Sequence, residues 1–288
     1  MNNIITVSIY CITGFAFGAI NNSIYKVLSR LPAAEILAGR FFFATILVLP
    51  IILKNIKLLK TNNIKIHLAK GLTELIALSS YVIGFKIVPI SNGTLITFII
   101  PFWAIVFSKI LLHEKVEYRR IISTSLIFII ILITLGVDKI TLNTGIIVLL
   151  IGTIFSGLYD TLNRKCSTSE NHLTSIFYFN LVIFSMSLPI SIPTLVSITY
   201  KELLLLIALG IGSNILHICL IKASSLSNAS FVSTFRYLEF VYSVIIGIIV
   251  FNEKPSRNLY FASILILIIQ IVMTIYENRN SNQQKSKI

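Results

Sequence analysis

The two halves of the chain carry the same landmarks at a nearly constant spacing. A Gly-Phe-Ala-Phe stretch near the start is matched by Gly-Thr-Ile-Phe 138 residues later, and two further landmarks recur after 139 residues. The pairs are 14–17 with 152–155, Pro50 with Pro189, and 113–115 with 252–254. We therefore expect a duplicated fold, with one repeat over 1–137, a second over 143–277 and a tail over 278–288.

Composition places both repeats in a membrane. The chain is 56% hydrophobic and 12% charged, with a mean hydropathy of +0.90, whereas soluble domains carry roughly 25% charged residues. Ten apolar segments of about 20 residues are each long enough to cross a hydrocarbon core roughly 30 Å thick. They are 4–27, 33–53, 66–87, 92–113, 117–136, 143–164, 172–192, 200–222, 228–251 and 256–277. The sequence predicts an all-α polytopic membrane protein with ten transmembrane helices in two five-helix repeats.

Five spans in each repeat fix the relative orientation of the repeats. Repeats with an odd number of spans must be inverted relative to each other. Inverted repeats are typical of secondary transporters, which hold substrate near the bilayer midplane between the halves. If the N-terminus is cytoplasmic, thirteen Lys and Arg residues fall on the inside and seven on the outside. This bias follows the positive-inside rule and predicts that both termini are cytoplasmic.

The sequence gives little support to a nucleic-acid-binding protein, an enzyme or a metal-binding protein. The net charge of +13 does not indicate a nucleic-acid partner, because the densest basic run, 54–65, is a loop and not a folded basic face. The sequence has no GxSxG, HExxH, paired CxxC or P-loop motif. Cys11, Cys166 and Cys219 are too scattered for a disulfide framework or a metal site. The expected partners are the lipid bilayer and a small-molecule substrate, with no cofactor or metal, and a homodimer stays open.

Polar and aromatic residues inside the spans form the candidate substrate site. A charge at the bilayer centre costs about 2.5–3.5 kcal/mol on insertion scales and by default marks a functional site. Arg236 and Glu239 are three residues apart and share a helix face. A guanidinium suits a substrate carboxylate and a carboxylate suits a cation, although the two could also form a purely structural pair. The candidate substrate-binding residues are Arg236, Glu239, Tyr237, Asp160, Trp103, Glu74 and Arg40.

Two of these candidates have clear alternatives. Glu74 could be a proton or cation site, or it could pair structurally with Arg40. Trp103 lies in the middle of a span, just after Pro101, and not at a membrane interface where Trp usually collects. It could offer a stacking surface for a flat or cationic ligand group, or it could be a buried packing residue.

The ends of two spans carry candidate gating residues. Asp160 precedes Arg164 by one helical turn near the cytoplasmic end of the sixth span, and Asn22 precedes Lys26 in the same way near the outer end of the first. These repeat-related positions suit gates on opposite faces of the membrane, with Asn22, Lys26 and Arg164 as the gating residues. The alternative is that the basic side chains merely reach the interface, as Lys and Arg at helix ends often do.

Each repeat closes its fourth span with a glutamate. The two stretches are Leu112-His113-Glu114 and Phe251-Asn252-Glu253. With ten spans in two five-helix repeats, the chain resembles the EamA branch of the drug/metabolite transporter superfamily over essentially its whole length. The resemblance implies a secondary transporter of a small polar metabolite and not an enzyme.

A narrower resemblance lies in the second repeat. The stretches 156–160 (Ser-Gly-Leu-Tyr-Asp), 163–165 (Asn-Arg-Lys) and 235–239 (Phe-Arg-Tyr-Leu-Glu) are similar to those of the S-adenosylmethionine uptake transporters of obligate intracellular bacteria. Asn228 and Thr234 depart from that pattern, which has an acidic residue and a proline there. The resemblance implies antiport of S-adenosylmethionine and S-adenosylhomocysteine across the bacterial inner membrane. The alternatives are amino-acid transport, as export of amino acids or related metabolites by the same fold, and, far less favoured, a membrane-embedded enzyme.

The implied substrate matches the candidate residues in charge. S-adenosylmethionine carries a sulfonium cation, an amino-acid zwitterion and an adenine ring. Glu239 and Asp160 could face the cations, Arg236 the carboxylate, and Trp103 and Tyr237 the adenine. The same residues would also serve a plain amino acid.

Overall fold

The protein is described by a computed structural model whose described residues form helices joined by turns and loops, with no β-strand among them. These are 2–114, 118–135, 144–228, 231–232, 235–254, 257–258, 260–262, 264–266, 268–269, 271–273 and 275. The first half contains α1 (Asn2–Val27), α2 (Ala33–Lys54), a 3-10 turn (Ile56–Leu59), α3 (Ile64–Ile87), α4 (Ile90–Thr97), α5 (Ile100–Leu111) and α6 (Tyr118–Leu135). The second half contains α7 (Thr144–Ser167), α8 (His172–Ser191), a 3-10 turn (Ile192–Thr194), α9 (Tyr200–Leu226) and α10 (Tyr237–Phe251), and the described residues from 257 to 275 are also helical.

Helix length and composition make this a multi-pass membrane protein. Among the described residues, six helices are long and apolar enough to cross a membrane, and they comprise α1, α2, α3, α7, α8 and α9. Four shorter apolar helices are Ile100–Leu111, Ile121–Ile130, Leu238–Phe251 and Tyr260–Met273. Large apolar side chains cover the outer surface, as Ile133 at 70% and Ile249 at 73% exposure illustrate. Such a surface is stable against lipid and not against water.

The fourth span of each repeat is broken near its middle. The continuous span expected over 92–113 is divided into α4 and α5 by a turn at Phe98 and Ile99. Pro101 lies in the first turn of α5, where its missing N–H is tolerated, and this proline cannot continue a helix from α4. The equivalent region of the second repeat has a turn at Phe235 and Arg236 before α10 begins. At both breaks the backbone bonds shorten to the i→i−3 pattern, as from Ile99 to Ile96 and from Phe235 to Val232.

Helices of opposite repeats pack in two matched sets. α1 packs on α9, and its repeat mate α7 packs on α3; α2 packs on α9, and its repeat mate α8 packs on α3. The α2–α8 contact joins two repeat mates directly. Exchanging the halves therefore reproduces the same set of helix contacts.

The packing of the two repeats also matches at the level of individual glycine contacts. A Cβ added at Gly71 in α3 would lie 2.4 Å from Val182 Cγ1 in α8. The repeat mates, Gly210 in α9 and Phe43 in α2, make the same close approach, with a Cβ–Cβ distance of 2.8 Å. Only glycine allows helix backbones to come this close, which is how small residues drive packing inside a membrane.

The helix bundle has two polar ends. We call one the Glu253 end, which contains 28–32, 192–199 and 252–254, and the other the Glu114 end, which contains 55–63, 112–114 and 168–171. At the first, Arg30 donates to Glu202 Oε2 at 2.6 Å and to the carbonyl of Ser197. At the second, Glu170 Oε1 accepts hydrogen bonds from Thr61 Oγ1 at 2.6 Å and Asn63 Nδ2 at 2.9 Å.

Cysteine labelling tests the orientation of the two ends. Ser197 and Asn62 are both exposed, one at each end, whereas Cys11, Cys166 and Cys219 are buried. With both termini cytoplasmic, Ser197→Cys should react with a membrane-impermeant maleimide in intact cells, and Asn62→Cys should react only after permeabilisation. The opposite pattern would reverse the orientation.

Candidate functional site

A polar cavity lies between the two repeats, beside both helix breaks. It is enclosed by α1, α2, α3, α7, α9, the α4–α5 break and the start of α10. The lining residues are Gly18, Asn21, Asn22, Arg40, Glu74, Leu78, Tyr81, Thr97, Ile100, Ser156, Leu216, Arg236 and Glu239. Four of the seven predicted substrate-binding residues, namely Arg236, Glu239, Glu74 and Arg40, are thus brought to one cavity.

Arg236 is placed in the cavity by the break before α10. Its Nη2 donates to both oxygens of Asp160 at 3.0 and 3.1 Å, and its Nη1 lies 3.9 Å from Glu239 Oε2. The guanidinium also lies 5.2 Å from the centre of the Phe15 ring, which is cation–π distance. The ion partner of Arg236 is therefore primarily Asp160 on α7, and Glu239 contributes a longer contact.

Glu239 connects the second repeat to the first. The side chain is buried, and Oε1 accepts a hydrogen bond from Asn22 Nδ2 at 2.7 Å. α1 passes close by at Gly18, where an added Cβ would lie 3.2 Å from Glu239 Oε1 and the carboxylate would have to shift slightly. Asn22, predicted as a gating residue, thus contacts the carboxylate in the central cavity.

Arg40 and Glu74 are buried on neighbouring walls of the cavity. Arg40 donates to Ser213 Oγ at 2.9 Å and lies over the rings of Tyr25 and Phe41, with distances of 5.6 and 4.9 Å to their centres. The contacts of the described residues include no ion pair within 4.0 Å between Arg40 and Glu74. Arg40 and Glu74 therefore do not form the direct structural pair that was the alternative from the sequence.

Several buried polar atoms around the cavity have no hydrogen-bond partner within the described part of the chain. They are Nδ2 and Oδ1 of Asn21, Nε of Arg40, Oε2 of Glu74 and Nε of Arg236. Buried polar atoms are normally satisfied, so a group of them at one cavity marks a place where a polar ligand gains bonds at little desolvation cost. Donors and acceptors of both charge signs are available.

One predicted aromatic residue does not line the cavity. Trp103 is not among the lining residues; it is stacked with Phe107 at a centre distance of 6.3 Å. A Cβ added at Gly157 would lie 2.4 Å from Trp103 Cβ, so the tryptophan backbone is pressed onto α7. This contact of the half-buried Trp103 is compatible with the packing alternative. The side chain of Tyr237 lies outside the described residues.

Lys26 and Arg164, two of the predicted gating residues, each form an ion pair with the opposite repeat. Lys26 Nζ lies 2.8 Å from Glu253 Oε1, and Arg164 Nε lies 3.3 Å from Glu114 Oε1. Arg164 also donates to the carbonyl of Ser224. The two pairs are repeat mates of each other, and they lie at opposite ends of the bundle.

The two glutamates are positioned by the same helix ending. His113 and Asn252, their preceding residues, both adopt left-handed backbone, with φ of 52° and 51°. The N–H of Glu114 then donates to the carbonyl of Ser108, and that of Glu253 to the carbonyl of Gly247. These backbone bonds satisfy carbonyls that a helix end leaves free. His and Asn tolerate positive φ better than most residues, which explains both choices.

Sequence reasoning missed three residues of this arrangement. Glu114 and Glu253 served as repeat landmarks, yet they are the ion partners of Arg164 and Lys26. Lys70 is fully buried in α3, although it lies inside the predicted span 66–87, one turn before Glu74. A complete list of ionisable residues within the predicted spans would have included it. Within the described residues no group of three or more His, Cys, Asp or Glu side chains could hold a metal ion.

Comparisons with known proteins identify the family. The sequence profile of the EamA-like transporter family matches twice, at residues 4–136 and 143–275. The S-adenosylmethionine uptake transporter of Rickettsia prowazekii is 28% identical over 99% of both chains. The pseudopaline exporter CntI of Pseudomonas aeruginosa is 22% identical, over 91% of this chain and 93% of the other.

A solved crystal structure shares the fold. It superposes with a TM-score of 0.75 at 17% identity and covers 95% of this chain and 96% of its own. At this identity the likeness concerns the fold alone.

The pairing of Arg236 with Asp160 can be tested through stability. Arg236→Met should lower the free energy of unfolding by about 3–5 kcal/mol, because it leaves the Asp160 carboxylate buried without its partner. Arg236→Met/Asp160→Asn should recover part of that loss, because the Asp160 carboxylate is then no longer buried as an unpaired charge, and only the longer contact to Glu239 stays lost. Thermal unfolding of the purified protein in detergent measures both variants.

Arg30→Met serves as the control for this comparison, because its bond to Glu202 is exposed and surface ion pairs contribute little. Equal losses in the single and double variants would show that Asp160 is not the partner that matters.

Proposed function

The chain belongs to the EamA-like transporter family, and we propose that it transports S-adenosylmethionine across the bacterial inner membrane in exchange for S-adenosylhomocysteine. The family and the named relatives make it a transporter and not an enzyme. The observation that carries the substrate proposal is the central cavity, which joins buried guanidinium and carboxylate groups between the two repeats. The full-length similarity to the Rickettsia uptake transporter supports the same substrate.

The charges of the cavity are complementary to this substrate. The α-carboxylate would pair with Arg236 or Arg40, and the ammonium and sulfonium cations would lie near Glu239 and Glu74. Bidentate guanidinium–carboxylate contacts are strong and directional, so Arg236 is suited to orient the amino-acid group. Tyr81 lines the cavity and offers an aromatic face for the adenine ring. Tyr237 remains a candidate for the same role.

We further propose that the ten spans form two inverted repeats, 1–137 and 143–277, with both termini and the 278–288 tail in the cytoplasm. Helix directions support the inversion. The residues after α1 and after α3 meet at the Glu253 end, where Lys86 donates to the Leu31 carbonyl. Lys70, near the start of α3, contacts Asn163, near the end of α7, so these helices run in opposite directions. α1 and its repeat mate α7 are then antiparallel, as an inverted repeat requires.

Lys26, Arg164 and their glutamate partners form the proposed gates. Each ion pair joins the two repeats, and each closes one end of the central cavity. Opening either end requires its own pair to separate while the other pair holds. Rocking of one repeat against the other would then expose the cavity to one side at a time.

A second candidate is export of an amino-acid-derived metabolite. The similarity to the pseudopaline exporter supports it, and the same charged cavity would accept an amino-acid zwitterion. Uptake of labelled S-adenosylmethionine by expressing cells distinguishes the two. Saturable accumulation, inhibited by S-adenosylhomocysteine, supports the leading proposal, and no accumulation above control cells refutes it.

Glu239→Gln tests the cation site. Loss of a charge-assisted hydrogen bond costs about 1.5–3 kcal/mol, so affinity for S-adenosylmethionine should fall about tenfold or more. S-adenosylhomocysteine lacks the sulfonium charge and should lose less if Glu239 faces the sulfur. Competition binding to the purified protein measures both ligands.

Glu202→Gln is the matched control, because Glu202 is a carboxylate at the Glu253 end, bound to Arg30 and away from the cavity. Unchanged affinities for both ligands in Glu239→Gln would remove Glu239 from the binding site.

Disulfide cross-links test the gates. We expect oxidation of Lys26→Cys/Glu253→Cys to abolish exchange, because this end can no longer open, and reductant should restore it. Arg164→Cys/Glu114→Cys should behave in the same way at the other end. Exchange of labelled for unlabelled substrate in proteoliposomes is the measurement, and the four single-cysteine variants are controls. Undiminished exchange in a fully cross-linked pair would show that the pair is no gate.

A further inference from the structure

Lys70 is a buried cation that the proposed binding site does not use. It is fully buried in α3, one helical turn from Glu74 toward the Glu114 end. Its Nζ donates to Ser175 Oγ at 2.7 Å and to Asn163 Oδ1 at 3.4 Å, and it lies 5.3 Å from the centre of the Phe179 ring. No carboxylate of the described residues lies within 4.0 Å of it. An ammonium group surrounded by neutral partners is costly inside a protein, so this position favours an anion.

The partners of Lys70 belong to the opposite repeat. Lys70 lies in the segment matched by the first family repeat, whereas Asn163 and Ser175 lie in the second. When the Glu114 end opens, α3 must separate from α7 and α8, and the ammonium loses these bonds. A substrate carboxylate leaving the cavity could then replace them with a stronger, charge-assisted bond.

Lys70 lies along a polar path from the cavity to the gate. On α3, Tyr81 and Glu74 line the cavity, and Lys70 follows on the same face. On α7, Ser156 lines the cavity, Asn163 binds Lys70, and Arg164 forms the gate. The path therefore runs between these two helices toward the Glu114 end.

The other half of the molecule has its own buried cation in the corresponding place. Phe179 under Lys70 is the repeat mate of Arg40, and Asn163 is the repeat mate of Tyr25. Arg40 lies over the Tyr25 ring. The buried cation is therefore Arg40 of α2 on one side of the pathway and Lys70 of α3 on the other. Each half of the pathway thus contains one buried positive charge.

We propose that Lys70 is a second binding site for the carboxylate of an amino-acid-type substrate, occupied when the Glu114 end is open. This inference rests on the proposed function, and with the proposed orientation it concerns the cytoplasmic face. Substrate approaching from the cytoplasm meets Lys70 before the central cavity, and substrate approaching from outside meets Arg40. Removing the Lys70 charge should therefore weaken substrate recognition from one face only.

The test compares transport from the two faces. The KM for labelled S-adenosylmethionine is measured in inside-out and right-side-out membrane vesicles for the wild type, Lys70→Met, Lys70→Gln and Lys70→Arg. Lys70→Met should raise the cytoplasmic KM about tenfold or more, as expected for a lost charge-assisted bond, and should leave the outer KM within about twofold. Lys70→Gln keeps hydrogen bonding to Ser175 without the charge, so it replaces Lys70→Met if that variant does not fold.

Controls separate charge recognition from packing. Lys70→Arg should largely restore the cytoplasmic KM, and Lys109→Met, which removes an exposed lysine, should change neither KM. Inhibition by 5′-methylthioadenosine, which has no carboxylate, should be unchanged in Lys70→Met. An unchanged cytoplasmic KM, an equal rise at both faces, or a rise at the outer face alone would each overturn the Lys70 proposal. A wild-type protein that transports no S-adenosylmethionine would instead overturn the proposed function.

Discussion

The need to neutralise charge inside the bilayer organises this molecule. Arg236 lies between Asp160 and Glu239, and Glu239 is held in turn by Asn22. These contacts connect α7, α10 and α1, and so they connect the two repeats. A charge left unpaired here would cost several kcal/mol. Separating these helices would therefore be costly unless another ion took over the contacts that are lost, and in the proposed function the charged substrate is that ion.

Under the proposed function, pseudo-symmetry between the repeats would allow one fold to open at two ends. The matched glycine contacts, Gly71 with Val182 and Gly210 with Phe43, make the helix interfaces of the two halves nearly interchangeable. The left-handed residues His113 and Asn252 place equivalent glutamates at the two ends. When two arrangements use the same interfaces, they differ little in free energy. A modest differential affinity for substrate then suffices to shift the population between them.

The sequence predicted the membrane class, the duplication and the charged residues of the cavity, because these depend on local signals. Hydrophobic runs mark the spans, and the cost of buried charge singles out Arg236, Glu239, Glu74 and Arg40. Pairing between distant side chains could not be read in the same way. Asp160 is one turn from Arg164 in sequence, yet it binds Arg236, since the direction of a side chain depends on which helix packs beside it. Trp103 was similarly ambiguous, because its place depends on Gly157, 54 residues away.

Under the proposed function, the deviations from symmetry would provide the chemical specificity. At the 139-residue spacing the repeat mates of Arg236 and Glu239 are Thr97 and Ile100, so this charged pair occurs in one repeat only, and one site would serve both open states. The buried cations are likewise placed unequally: Arg40 on α2 lines the cavity, whereas Lys70 on α3 lies one turn beyond it. A substrate with a carboxylate and a cation can replace the internal partners of Arg236 and Glu239 at the same time. A singly charged molecule can replace only one of them, which leaves a buried charge uncompensated. Under the proposed function, Arg236 and Glu239 would therefore favour zwitterionic substrates, because binding must compensate for both of the internal pairs that it breaks.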